Sequence, residues 1–147
     1  MRDAAVVAAL VVAAANAVAA AAGAWRWWAG EPSRAFWVAV RAGQAVAIAL
    51  AVVAGVAAVS GFAPSNGLFW LYALLPVAVG LVAEQFRAAS AQTVLDARGL
   101  PDAQAVGALD EAEQREIVAT ILRREIAVMA LAALVVVFLA LRAYGTA

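Results

Sequence analysis

The polar residues of this chain that could do chemistry fall into two groups, and the sequence contains neither histidine nor cysteine. Asn16, Arg41 and Gln44 interrupt long apolar stretches, where polar side chains pair with one another or line a path for an ion or solute. The second group, the interfacial charge cluster, lies where apolar stretches end and comprises Glu84, Arg87, Arg123, Arg124 and Glu125. Catalytic sets built on histidine or cysteine are excluded, as are the usual zinc sites. We therefore predict no catalytic residue, no metal site and no cofactor.

The composition predicts that helices in a membrane hold these residues. Hydrophobic residues make up 67% of the 147 residues and charged residues only 14%, whereas soluble domains are about half apolar and about a quarter charged. A helix needs about 20 apolar residues to cross roughly 30 Å of hydrocarbon. Four stretches meet or approach this length, at residues 4–24, 35–60, 68–83 and 126–141. The predicted fold is an all-α integral membrane protein, a single four-transmembrane-helix bundle over residues 1–147.

Residues 84–125 predict an antiparallel helical hairpin, called the hairpin below, which extends the third and fourth spans beyond the membrane. Its first arm ends at Gly99, and its second arm begins at Asp110, whose spacing from Glu113 matches an acidic form of the capping box. Arms of about 15 residues rise about 22 Å each. Their equal length predicts that Glu84 lies level with Arg124, and Arg98 level with Asp110. The apolar faces contain Phe86 and Val94 on the first arm, and Ile117, Val118, Ile121 and Leu122 on the second. We expect these faces to pack against each other or against a partner.

The arginines predict the orientation, because short cytoplasmic loops gather positive charge. All ten basic residues are arginine. Eight of them lie in the first and third loops or next to them, and only Arg2 and Arg142 lie at the other side. We therefore expect loop 1, between the first and second spans, and loop 3, between the third and fourth spans, to lie in the cytoplasm. Both termini are expected on the outer side of the cell membrane. The absence of lysine and the many alanines are typical of a GC-rich bacterial genome.

Four tryptophans cluster where the first two spans meet the predicted cytoplasmic surface, at Trp25, Trp27, Trp28 and Trp37. Indole rings favour this layer because the ring is apolar while its N–H stays hydrated. An aromatic belt is therefore the favoured interpretation. A platform that stacks bases or sugars is the functional alternative.

The polar residues within the spans predict particular partners. Asn16 and Gln44 lie at a similar depth, roughly 10–14 Å below the tryptophans, which predicts a side-chain hydrogen bond between them. Arg41 is one turn from Gln44 and either extends to the membrane surface or projects toward Glu84. The interfacial charge cluster is interpreted as an ion network that ties spans three and four. An anion, lipid-headgroup or proton site is the alternative interpretation.

In length and number of spans the chain resembles the small multidrug transporters. That family has a glutamate within its first span, and this chain has Asn16 in an otherwise apolar helix. The chain is also similar in size to the membrane glutathione transferases but lacks a matching arginine-rich motif. No family is assigned on these resemblances.

The sequence supports three functional hypotheses. The favoured one is a structural or interaction module, a subunit or scaffold of a membrane complex whose hairpin binds a protein partner. The second is a small oligomeric transporter or channel in which Arg41, Gln44 and Glu84 line a polar path. The third and least favoured is an enzyme that acts on a lipid at Glu84 and Arg124. The expected partners are the lipid bilayer, a protein at the hairpin and further copies of the chain, whereas the balanced net charge argues against nucleic acid.

Overall fold

The computed structural model describes residues 1–31 and 33–147, and every regular element in these residues is a helix. The four long helices are α1 (Arg2–Ala29), α2 (Arg34–Val59), α3 (Leu68–Ala97) and α5 (Glu111–Thr146), and α4 (Ala103–Val106) is short. Each long helix is long and apolar enough to cross a membrane. The all-α fold and the four candidate spans are thereby confirmed.

The four long helices form a ring in which each packs against two neighbours. Helix α1 packs on α2 and α5, α3 also packs on α2 and α5, and α2 and α5 barely meet across the centre. The carbonyl of Thr146 accepts hydrogen bonds from Ser65 Oγ at 3.0 Å and from Asn66 N at 3.2 Å. Ala5 and Ala147 belong to one buried cluster. Both termini and the loop between α2 and α3 therefore lie at the same end of the bundle.

Small residues allow these helices to approach closely. One buried cluster surrounds Phe69 near the termini, and a second surrounds Phe36 toward the opposite end. A Cβ atom on Gly23 would lie 2.6 Å from Ala130 Cβ and 2.7 Å from the ring of Phe36. Close packing at small residues is how helices associate in lipid, where burial of apolar surface gives little driving force. At Gly23, α1 thus approaches both α2 and α5 closely.

Beyond the bundle, α3 and α5 continue as the helical hairpin that the sequence predicts. Val94, Leu95 and Ile117 are buried between the arms, and Val106 of α4 and Leu109 pack against them. Helix α3 ends before Gly99, whose φ is 67°. The side chain of Asp110 accepts a hydrogen bond from Glu113 N at 2.9 Å, which confirms the predicted start of α5.

Two residues of the predicted apolar faces lie outside the contact between the arms. Phe86 is 62% exposed and Val118 is 48% exposed. Eight residues separate Phe86 from Val94, a rotation of about 80° beyond two full turns at roughly 100° per residue. Val118 is likewise about 100° from the buried Ile117. The stripe that packs between the arms is therefore narrower than the predicted one.

Candidate functional site: the Glu84 network

The polar side chains of α2 and α3 meet at Glu84, where α3 leaves the most apolar part of the bundle. Arg41 Nη1 donates to Glu84 Oε1 at 2.7 Å, and Gln44 Nε2 donates to the same oxygen at 3.0 Å. Arg87 Nε donates to Glu84 Oε2 at 3.0 Å. Arg41 Nη1 also donates to Gln44 Oε1 at 2.7 Å. Both carboxylate oxygens therefore accept from a cationic side chain. Of the two orientations left open for Arg41, the structure has the one toward Glu84.

Arg87 extends these contacts to α5. Its Nη1 lies 3.7 Å from Glu125 Oε2, and its guanidinium carbon lies 5.4 Å from the ring centre of Trp37 on α2, within the range of a cation–π interaction. One arginine of α3 thus contacts carboxylates on α3 and α5 and an indole on α2. We call these residues the Glu84 network: Arg41, Gln44, Glu84, Arg87 and Glu125.

Helical spacing explains why these side chains converge. Arg41 and Gln44 are three residues apart on α2, and Glu84 and Arg87 are three residues apart on α3, so that each pair projects from one face. The exposed fraction of the side chain is 16% for Glu125, 23% for Glu84, 31% for Arg87 and 57% for Arg41. The carboxylates are thus partly desolvated while Arg41 faces outward, and the inner ion pairs are screened less than surface pairs.

Arg124 is not the partner of Glu84, and this register prediction is wrong. At this level α5 presents Glu125 to α3, and adjacent residues of a helix point about 100° apart. Arg98 pairs with Glu116 instead of Asp110, with 2.5 Å between Arg98 Nη2 and Glu116 Oε1. Helix α5 therefore begins beyond the end of α3. In this first part of α5, the Gln114 side chain donates to Gly107 O and Leu109 O of the connector that contains α4. The Glu84–Arg124 pair on which a lipid-acting enzyme was hypothesised is absent from the described structure.

Arg123 lies on another side of α5, toward α1. Its guanidinium carbon is 4.9 Å from the ring centre of Trp27. Trp25 and Trp28 are exposed, whereas Trp37 is half-buried against Phe36. The interfacial charge cluster is therefore divided among three directions: Glu84, Arg87 and Glu125 toward the network, Arg123 toward Trp27, and Arg124 outward.

Asn16 is buried, but the predicted bond to Gln44 does not form. Asn16 Nδ2 donates to Val12 O at 2.9 Å and to Gly43 O at 3.4 Å. A Cβ on Gly43 would lie 2.8 Å from Asn16 Oδ1, so α1 meets the backbone of α2 at this depth. Gln44 follows Gly43 and points about 100° away, toward Glu84. The similar depth of Asn16 and Gln44 was predicted correctly. The rotation of α2 about its axis was not, and this rotation turns Gly43 instead of Gln44 toward Asn16.

Little space remains around these polar groups. Arg41, Gln44 and Glu84 border a groove of about 170 Å³ between α2 and α3, together with Pro76 and Gly80. The centre of the bundle beside Asn16 contains a cavity of about 20 Å³, which is room for about one water molecule. In the residues that the structure describes, the polar side chains are directed mainly at one another and border no wide channel.

Gly43 and the bond between Gln44 and Glu84 were not predicted from the sequence. The matching spacing of Arg41 and Gln44 with Glu84 and Arg87 is the signal that could have identified the network. In comparisons with known proteins, no family model, no curated protein and no solved structure matches this chain.

Proposed function

We propose that this chain is a multi-pass membrane protein that acts as a structural or interaction module, a subunit or scaffold of a membrane complex. The observation that best supports the proposal is the internal pairing of the Glu84 network. Among the described residues, no buried side-chain nitrogen or oxygen lacks a hydrogen-bond partner. A site for a polar substrate needs polar groups directed at the substrate, whereas these groups tie α2, α3 and α5 together.

In the proposed topology, the hairpin and the loop between α1 and α2 lie in the cytoplasm, and both termini lie outside the plasma membrane. The distribution of arginine supports this orientation. Arg26, Arg34 and Arg41 lie toward one end of the bundle together with the arginines of the hairpin, whereas Arg2 and Arg142 lie toward the end that holds the termini. Short segments rich in arginine are retained in the cytoplasm.

A cleft between the end of α1 and the second arm of the hairpin is the proposed surface for the protein partner. Its volume is about 510 Å³. Val118 and Leu122 form an apolar part of its lining, and Arg26, Glu31 and Arg115 contribute charged groups. Protein interfaces combine an apolar centre with a polar rim, and arginine is enriched in them. The cleft therefore suits a partner that offers an apolar side chain flanked by charges.

Crosslinking in native membranes, followed by affinity purification in mild detergent, tests this proposal. We expect a stoichiometric protein partner with the wild-type chain and its loss with Val118→Arg, which places a charge in the apolar lining. The matched control is Val59→Arg, the same change at an exposed valine near the opposite end of the bundle. Absence of any stoichiometric partner, or equal retention by both variants, would contradict the proposal.

One observation favours transport as a second candidate function. Arg41, Gln44 and Glu84, the residues expected along a polar path, do converge on the groove between α2 and α3. Liposomes that contain the purified protein and a pH-sensitive dye or a potassium gradient would reveal flux. Flux that is abolished by Glu84→Gln and unchanged by Glu113→Gln, an exposed control on the hairpin, would favour transport over the module proposal.

A further inference from the structure

The outer face between α3 and α5 carries an apolar groove of about 670 Å³. We call it the α3–α5 groove. Leu75, Val82 and Phe86 line its α3 side, and Leu131 and Val135 line its α5 side. This volume lies within the range of small-molecule sites, which are about 300–1,000 Å³. Among the described residues, those that line the groove all belong to α3 and α5.

The groove becomes polar at the end nearer the hairpin. Ser90 and Thr93 line α3 there. On α5, Arg124 precedes Val128 by one turn and Leu131 by two, a spacing that places all three on one stripe of the helix. Arg124 is exposed and forms no ion pair with the described residues. Arg124, a cation without an ion-pair partner among the described residues, therefore lies one helical turn beyond Val128, the groove-lining residue of α5 nearest the hairpin.

The length of the groove matches one leaflet of a bilayer. From Leu75 to Phe86 its α3 side rises about 16 Å at roughly 1.5 Å per residue. Half of a hydrocarbon core about 30 Å thick is about 15 Å. If Arg124 lies at the level of the lipid phosphates, the apolar part of the groove extends from there to about the middle of the membrane.

We propose that the α3–α5 groove binds an anionic phospholipid, with one acyl chain along the apolar walls and the phosphate bound by Arg124. A guanidinium group matches phosphate geometry with two parallel N–H donors. The hydroxyls of Ser90 and Thr93 donate to carbonyls of their own helix, so Arg124 provides the recognition of charge. This inference rests on the proposed membrane location and adds a ligand to the proposed module.

A second copy of the chain is a less suitable occupant of this groove. Two copies that share the proposed orientation and form a symmetric pair are related by an axis along the membrane normal, so that equivalent residues lie at equal depth. A symmetric contact across the groove would bring two Arg124 side chains toward each other. Like charges in contact oppose association, whereas the phosphate of a lipid neutralises the arginine.

Native mass spectrometry of the detergent-purified chain tests the inference. The protein is mixed with equal amounts of phosphatidylglycerol and phosphatidylcholine that carry the same acyl chains. We expect the wild type to retain phosphatidylglycerol preferentially and Arg124→Gln to reduce that preference about fivefold, since an arginine contributes about 1 kcal/mol near an anionic lipid surface. The matched control, Arg142→Gln at the other end of the bundle, should leave the preference unchanged.

Two further variants test the apolar walls. Val82→Trp and Leu131→Trp fill the groove from opposite sides and should lower the retention of both lipids, provided that their elution volume on gel filtration matches the wild type. Arg124 is exposed, so Arg124→Gln carries the test if either tryptophan variant misfolds. An unchanged lipid preference in Arg124→Gln would overturn the inference. The inference would also be overturned if the wild type is a dimer, and if Leu131→Trp dissociates this dimer but leaves lipid retention unchanged. If the wild type prefers phosphatidylglycerol but no stoichiometric protein partner is found, only the module proposal is refuted.

Discussion

Glu84→Gln is expected to destabilise the bundle more than removal of the charge of Arg123 or Arg124, the two members of the interfacial charge cluster that lie outside the Glu84 network. The substitution keeps the size of the side chain and one carbonyl acceptor, which can still bind Gln44 or Arg41. It removes the negative charge between Arg41 and Arg87, and its amide group provides a donor where Arg87 needs an acceptor. Two cationic side chains then face each other across a neutral group.

The exposure of the three side chains sets the size of the effect. A hydrogen bond to a charged group contributes about 1.5–3 kcal/mol, and an exposed ion pair about 0.2–1 kcal/mol. Glu84 and Arg87 are 23% and 31% exposed, and Arg41 is 57% exposed, so the contact with Arg41 is discounted for screening by solvent. With one hydrogen bond retained, we expect a loss of about 1–2 kcal/mol in the free energy of unfolding.

Unfolding by denaturant in detergent micelles, followed by circular dichroism, measures this loss. Glu113→Gln is the matched control, because Glu113 is exposed and forms no ion pair with the described residues; a change below about 0.5 kcal/mol is expected for it. Arg124→Gln should behave like this control. A double-mutant cycle of Glu84→Gln with Arg87→Gln should show a coupling of about 1 kcal/mol.

Equal losses for Glu84→Gln and Arg124→Gln would refute this reasoning. That result would mean that these two residues pair as the equal arm lengths suggest, and that Arg41 and Arg87 face water. Additive effects in the cycle with Arg87 would show that the contact between the two side chains contributes no stability.

Three further predictions concern helix packing, the hairpin and topology. Gly43→Ala should cost about 1–3 kcal/mol, because its Cβ would lie 2.8 Å from Asn16 Oδ1; Gly55→Ala, which has open space, should not be destabilising in the same titration. Ile117→Ala should remove about 2–5 kcal/mol of local stability and speed amide exchange in residues 88–121, because Ile117 is buried between the arms. Val118→Ala is the exposed control, and unchanged exchange in Ile117→Ala would argue against a separate hairpin core. Cysteines placed at Asn66 and Gln104 should react with a membrane-impermeant reagent from opposite sides, Asn66 from outside, and reaction of both from one side would contradict the proposed topology.

The number of long helices and the limits of the hairpin arms follow from the sequence because their signals are local, whereas the short helix α4 was not predicted. The four apolar stretches, the positive φ at Gly99 and the cap at Asp110 each depend on residues within a few turns of one another. The proximity of Arg41 to Glu84 could also be predicted from the sequence, since both residues lie near the same end of adjacent antiparallel spans. Composition and arginine position alone support the expected membrane location and orientation.

Only the tertiary structure decided which side chains meet. Glu84 pairs with Arg41 and Arg87 instead of Arg124, and Asn16 bonds to the backbone of Gly43 instead of to Gln44. Both errors are errors of rotation or register, because one residue along a helix changes the direction of a side chain by about 100°. Rotation is determined by close approaches between helices distant in sequence, and register by the way the connector folds over the hairpin. Neither is encoded within a single apolar stretch, so partners at the same depth remained indistinguishable until the helices were packed together.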